Sequence, residues 1–253
     1  MADPREGERE KMVEGAVGVK IGTQVLALSL LGVLLSPQGQ TVVGRIQDFY
    51  EETQDLTGQF HQRVELAIGH VEEAGGAFYL KRPGMMRWEY ERPERRLIVT
   101  DGSTLWSYTP ADGQVIVQDL KAAVTSVPFD FLMGGGKLTD QFVLNEVTVR
   151  GECYRLVLTP RHPDPLLREM EMEVAATTLY IRSLTLQDSY GNRTVLSFSH
   201  LLVNSALPAD LFSFAPPPGV KILRAEDSWE WPRSMRWVAT ARRAAPWSAG
   251  PGC

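Results

Sequence analysis

The sequence predicts a mainly β fold, a single curled antiparallel sheet, on three observations. Residues Glu169-Met170-Glu171-Met172-Glu173-Val174 alternate strictly, so two methionines and a valine share one face and three glutamates the other. The same period in Met85–Glu91 groups Met86, Trp88 and Tyr90 against Arg87, Glu89 and Glu91. Turn pairs recur at Asp101-Gly102, Asp112-Gly113 and Gly191-Asn192, each between β-rich runs such as Leu97-Ile98-Val99 and Val115-Ile116-Val117. About ten or eleven strand candidates fit between Phe60 and Ile222, at the spacing of a sandwich or barrel.

Composition bounds the rest. The 253 residues are 43% hydrophobic and 23% charged, which excludes a disordered chain. With 26 basic against 31 acidic residues the formal charge is −5, and no long basic block is present. Nucleic acid is therefore not an expected partner. The two cysteines, Cys153 and Cys253, lie far apart and fit neither a CxxC metal knuckle nor a multi-bridge disulfide framework, and the spacing leaves open whether they pair with each other.

Residues 1–40 read as a leader and signal peptide. Lys20 introduces the apolar run Ile21–Leu35, which is shorter than the roughly 20 residues that span a bilayer and has a basic flank. Export is the expectation, with Met12 an alternative start. A lipoprotein needs a cysteine directly after such a run, and here the nearest is Cys153. The chain is thus expected not to be lipid-anchored itself.

From Thr41 to about Leu56 the spacing of Val42, Val43, Ile46, Phe49 and Tyr50 predicts one amphipathic helix, with Gly58 marking its end. The β body then runs to residue 223. Within it, Val127–Gly136 interrupts the meander with a short apolar helical turn and a glycine hinge; a lid and a packed corner between hairpins are both allowed. Residues 224–253 hold four of the six tryptophans and show no helix or strand period, so they are read as a disordered tail.

Catalytic signatures are missing. His61, His70, His162 and His200 are too scattered for a metal pair, and no nucleophile elbow, phosphate loop or dinucleotide fingerprint occurs. Glu169, Glu171 and Glu173 are better explained as a solvated outer face than as paired catalytic acids. No enzyme activity, cofactor or metal is expected. The dry face instead collects Met86, Trp88, Tyr90, Met170, Met172, Val174, Leu196 and Phe198. That set suits either a plain core or a cavity for acyl chains, since methionine conforms to ligands of variable shape.

Three stretches carry a family resemblance. Phe78-Tyr79-Leu80-Lys81-Arg82-Pro83-Gly84-Met85-Met86-Arg87-Trp88-Glu89-Tyr90, followed by Arg92-Pro93 and Leu97–Tyr108, resembles the longest signature of the periplasmic outer-membrane lipoprotein carrier family, LolA. Leu56–Gln62 resembles that family's first helix-to-strand junction, and Phe212–Val220 its C-terminal strand. The likeness covers about Val42 to Ile222.

The resemblance implies an incomplete, unclosed antiparallel β-barrel of about 11 strands, with a short α-helical lid enclosing an apolar cavity. Such carriers take acylated lipoproteins from an inner-membrane ABC-type release complex and hand them to an outer-membrane acceptor lipoprotein. On this reading the protein is a periplasmic monomer. Its cargo cavity is lined by Phe78, Leu80, Met86, Trp88, Tyr90, Met170, Met172 and Phe198. Arg82 latches a lid that contains Phe129, Phe131 and Leu132. Members commonly carry phenylalanine where Met86 stands here, so methionine keeps the apolar volume and loses the ring. The alternative function is a lipid- or lipoprotein-binding sensor of the same fold in the same compartment.

Overall fold

The computed structural model describes residues 37–120 and 136–224, with side-chain burial from Thr41 onward. Helix α1 (Pro37–Glu52) precedes six strands: β1 (Asp55–Glu65), β2 (Val71–Lys81), β3 (Met85–Arg92), β4 (Arg96–Asp101), β5 (Thr104–Thr109) and β6 (Gln114–Asp119). A single-turn helix α2 (Leu138–Gln141) opens the second half. It leads into β7 (Phe142–Arg150), β8 (Cys153–Pro160), β9 (Glu169–Ala175), β10 (Ile181–Gln187), β11 (Arg193–Val203) and β12 (Lys221–Arg224).

All twelve strands form one sheet in the order β12-β6-β5-β4-β3-β2-β1-β11-β10-β9-β8-β7. The tight turns make chain neighbours pair antiparallel, and β1 with β11 joins the two halves. The sheet is open, because its terminal strands β12 and β7 are not paired with each other. This is the unclosed barrel anticipated from the sequence, with one departure: β12 lies parallel to β6.

One face of the curled sheet is dry. Met170, Met172 and Val174 are fully buried, while Glu169, Glu171 and Glu173 stay partly solvated opposite them. On that outer face Arg155 bonds Glu171 at 2.5 Å, and the Ser183 hydroxyl donates to Glu173 at 3.0 Å. The predicted solvated glutamate row is thus a partly solvated outer surface in which Glu171 is ion-paired.

Helix α1 covers the dry face with the stripe Val43, Ile46, Gln47 and Tyr50, spaced i, i+3, i+4, i+7. Two buried hydrogen bonds fix it: Ile181 N–H donates to the Tyr50 hydroxyl at 3.0 Å, and Leu138 N–H to Gln47 Oε1 at 2.7 Å. The helix spans Pro37–Glu52 and not Thr41–Leu56, and Gly58 does not end it. Thr53 closes the last turn by bonding the Phe49 carbonyl through both its N–H and its hydroxyl. Leu56 is already part of β1, paired with Leu80.

Gly58 lies inside β1 for want of space. A Cβ there would sit 2.7 Å from Leu201 Cδ2, 2.9 Å from the Ser199 carbonyl oxygen and 3.0 Å from the Phe78 ring. The β1–β11 register slips at the same point.

Residues 204–220 strap the outer face of β1–β6. The buried carboxylate of Asp55 accepts from Ser205 N–H (2.6 Å) and Leu207 N–H (3.2 Å). Lys81 Nζ donates to the Leu207 carbonyl, and Arg87 to that of Leu211 at 3.2 Å. Phe214 packs against Tyr108 and Trp106, with centroids 5.6 and 6.5 Å away. The expected strand over Phe212–Val220 is therefore absent. Pro216-Pro217-Pro218 has no N–H to give a ladder, so pairing resumes only at Lys221.

Candidate functional site

Cross-strand pairing assembles the predicted lining residues on the dry, concave face. Leu80 opposes Met86 and Phe78 opposes Trp88, while Phe60 lies between Gly76 on β2 and Phe198 on β11. On the other wing, Met172 is flanked by Leu156 and Leu184, and Met170 by Leu158 and Leu186. All eight residues expected in the cavity belong to one buried apolar cluster.

Its centre is aromatic. Phe78 stacks on Trp88 at 5.4 Å, Phe60 meets Trp88 edge-on at 4.4 Å, and Phe198 meets Phe78 at 5.4 Å. Opposite Phe60, Gly76 lies at a bulge in the β2–β3 pairing, where any Cβ would fall 1.8 Å from the Glu89 carbonyl oxygen. Tyr90 closes the cluster toward β4: its hydroxyl donates to Gln62 at 3.1 Å, and the Arg96 guanidinium lies 4.2 Å from its ring centroid. Burial raises the Tyr90 phenol above its ordinary pKa, so it stays neutral.

Between these rings and α1 lies a void of about 10 Å³, lined by Tyr50, Leu56, Phe78, Leu80, Trp88, Ile181, Phe198 and Leu201. A single water nearly fills such a space, so a long acyl chain enters only when the lining parts. The face around this void is thus apolar as expected, and the void itself is too small for an acyl chain. Sequence reasoning missed Tyr50, Leu56, Phe60, Ile181 and Leu201. The signal for Leu56 and Phe60 was present in the β1 alternation, obscured by Gly58 and Gln62 between and after them.

Arg82 sits at the opposite end of β2 from the β1–β2 turn, half-buried, with its backbone N–H donating to the Gln54 carbonyl at 2.9 Å. Burial draws its guanidinium below the ordinary value, and the Glu51 carboxylate at the end of α1 opposes that shift. The guanidinium stays charged throughout. Phe129, Phe131 and Leu132, the expected lid residues, lie outside the described residues, as do the leader and the tail.

Among the described residues no group of three metal-ligating side chains occurs, and no helix is long and apolar enough to cross a membrane. His61 lies 3.7 Å from Glu73 and His70 3.4 Å from Glu72, while His162 and His200 are exposed.

The family described as "Outer membrane lipoprotein carrier protein LolA" matches residues 51–215, from the end of α1 to the strap. An outer-membrane lipoprotein carrier protein of Chromobacterium violaceum is 34% identical over 79% of this chain and 96% of its own length. One from Nitrosospira multiformis is 33% identical, covering 72% of this chain and 88% of that protein. A solved structure of a LolA superfamily protein from Nitrosomonas europaea aligns at a TM-score of 0.43 and 12% identity, over 69% of this chain and 97% of that one. With the family match spanning more than half of its residues and a relative above 30% identity aligned nearly end to end, the chain belongs to the LolA family of outer-membrane lipoprotein carriers.

Proposed function

We propose that the protein is a periplasmic carrier that shields the acyl chains of lipoproteins in transit between the inner and outer membranes. The observation that carries this reading is the continuous apolar concave face of a chain in the carrier family. Each buried methylene contributes about 0.8 kcal/mol, so acyl chains supply affinity without polar recognition. The rings already bury one another, so loading exchanges ring–ring contacts for ring–acyl contacts. That exchange lowers the net affinity and keeps binding reversible, as a carrier requires.

Arg82 is the latch of this proposal. A half-buried guanidinium has five donors to satisfy, which suits the lid-latch role that the family resemblance implies for it. An inner-membrane release complex supplies the cargo and an outer-membrane acceptor takes it. The chain works as a monomer, exported by its leader, and does no covalent chemistry. The sensor alternative gains no support, because the relatives matched almost end to end are carriers.

The test is to express the chain with export in a bacterial host, purify it from the periplasm and identify bound material by mass spectrometry. Triacylated lipoprotein in stoichiometric amount is the expected result. Empty protein that also takes no cargo from inner-membrane vesicles holding a release complex would contradict the proposal.

A further inference from the structure

Four of the eight large apolar side chains left exposed among the described residues gather at one end of the sheet. They are Ile68 (87% exposed), Tyr190 (68%), Leu166 (55%) and Val71 (41%). Pairing of Glu65 with Arg193, and of Gln187 with Glu169, brings the β1–β2 turn, the β10–β11 turn and the β8–β9 loop to that end. The three segments are bonded to one another: Ala67 N–H donates to Asn192 Oδ1 and Ser189 N–H to the Pro165 carbonyl, both at 3.0 Å. Each bond lies one residue from an exposed tip, so Ile68, Tyr190 and Leu166 stand on a single tied platform.

The backbone holds the tips out. The Asp188 carboxylate accepts from Tyr190 N–H at 2.9 Å and Asn192 N–H at 2.8 Å, and that of Asp164 from Leu166 N–H at 2.8 Å. Carboxylates at this end are thereby spent or withdrawn. Asp188 and Glu72 are buried, Asp164 caps its own loop, and Glu65 pairs with Arg63 and Arg193. Arg161, Arg168 and Arg193 are exposed there, and Arg168 makes no ion pair among the described residues. A chain of formal charge −5 thus puts a basic rim around its apolar tips.

Single exposed hydrophobics are ordinary, but several on one fixed platform mark an interaction surface. Aliphatic tips beside a tyrosine, rimmed by arginines, have the composition of a segment that rests in a membrane interface. We propose that this end of the sheet docks on a bilayer surface, with Ile68, Leu166 and Tyr190 entering the headgroup region and the arginines meeting anionic lipid phosphates. Charge selects the lipid surface over a second copy of the chain, because two such ends face to face would oppose like charges. The inference goes beyond the carrier reading, which concerns the interior, and does not depend on it.

The test sediments the full chain with vesicles of phosphatidylcholine alone, or of phosphatidylcholine with about one-third phosphatidylglycerol. Wild type is expected to bind the anionic vesicles about tenfold more tightly than the neutral ones, and less tightly as salt rises. The variant Ile68→Ser/Leu166→Ser/Tyr190→Ser should lose about tenfold in binding to the anionic vesicles and keep the wild-type melting temperature, since all three side chains are exposed. Arg168→Glu tests the charge separately and should narrow the gap between the two vesicle types. Every variant keeps residues 225–253, so any binding by that segment is common to all. Wild type that binds neither vesicle, unchanged binding by either variant, or a dimer of wild type that the triple variant abolishes would overturn the membrane surface.

Discussion

Tyr50 and Arg82 show how single side chains tie the helix and the strand ends to the interior. Replacing Tyr50 by phenylalanine keeps the ring and strands the buried Ile181 N–H, which should cost about 1–3 kcal/mol in denaturant unfolding. Arg82→Leu is expected to leave the fold intact and to alter lipoprotein uptake or release; wild-type rates for both steps would rule out the latch. Glu171 gives a pH signature. Its hydrogen bond to Arg155 lowers its folded pKa below the unfolded value near 4.5, so the stabilisation is complete above that value and is lost as pH falls through the folded pKa. Since the pair is partly solvated, Glu171→Gln should cost only about 0.5 kcal/mol at neutral pH, and the gap to wild type should close in acid.

At the level of elements, the strands that alternate without interruption were legible from sequence alone. Met85–Arg92 and Glu169–Ala175 fold as read, with the predicted residues buried. The reading failed where a local rule was overridden by packing. Gly58 looks like a helix stop because glycine is a poor helix former, yet its role is to clear the Phe78 ring and Leu201. The aromatic, β-rich Phe212-Ser213-Phe214 looks like a strand, and the prolines after it forbid one. Gly76 tests the packing argument directly. Gly76→Ala forces a Cβ into the Glu89 carbonyl and should cost about 2–4 kcal/mol in thermal or denaturant unfolding, against a small effect at half-buried Gly44, where nothing lies within 4 Å of an added Cβ.

For the whole molecule, the dry face was legible as a set of residues and not as a geometry. Period-2 patterning identifies which side chains share the dry face, and the eight expected lining residues do share it. It says nothing about how far two wings of a curled sheet stand apart, which depends on twist, bulges and the rings that meet across the interior. Among the described residues those rings line a void of about 10 Å³, so a chain that enters there must displace them. The most direct test loads the protein with a triacylated lipopeptide bearing a photoactivatable group on an acyl chain and maps the crosslinks by mass spectrometry. The account predicts adducts on Trp88, Met170, Met172 and Phe198, whereas adducts confined to outer-face residues such as Trp106, Tyr108 or Thr185 would contradict it.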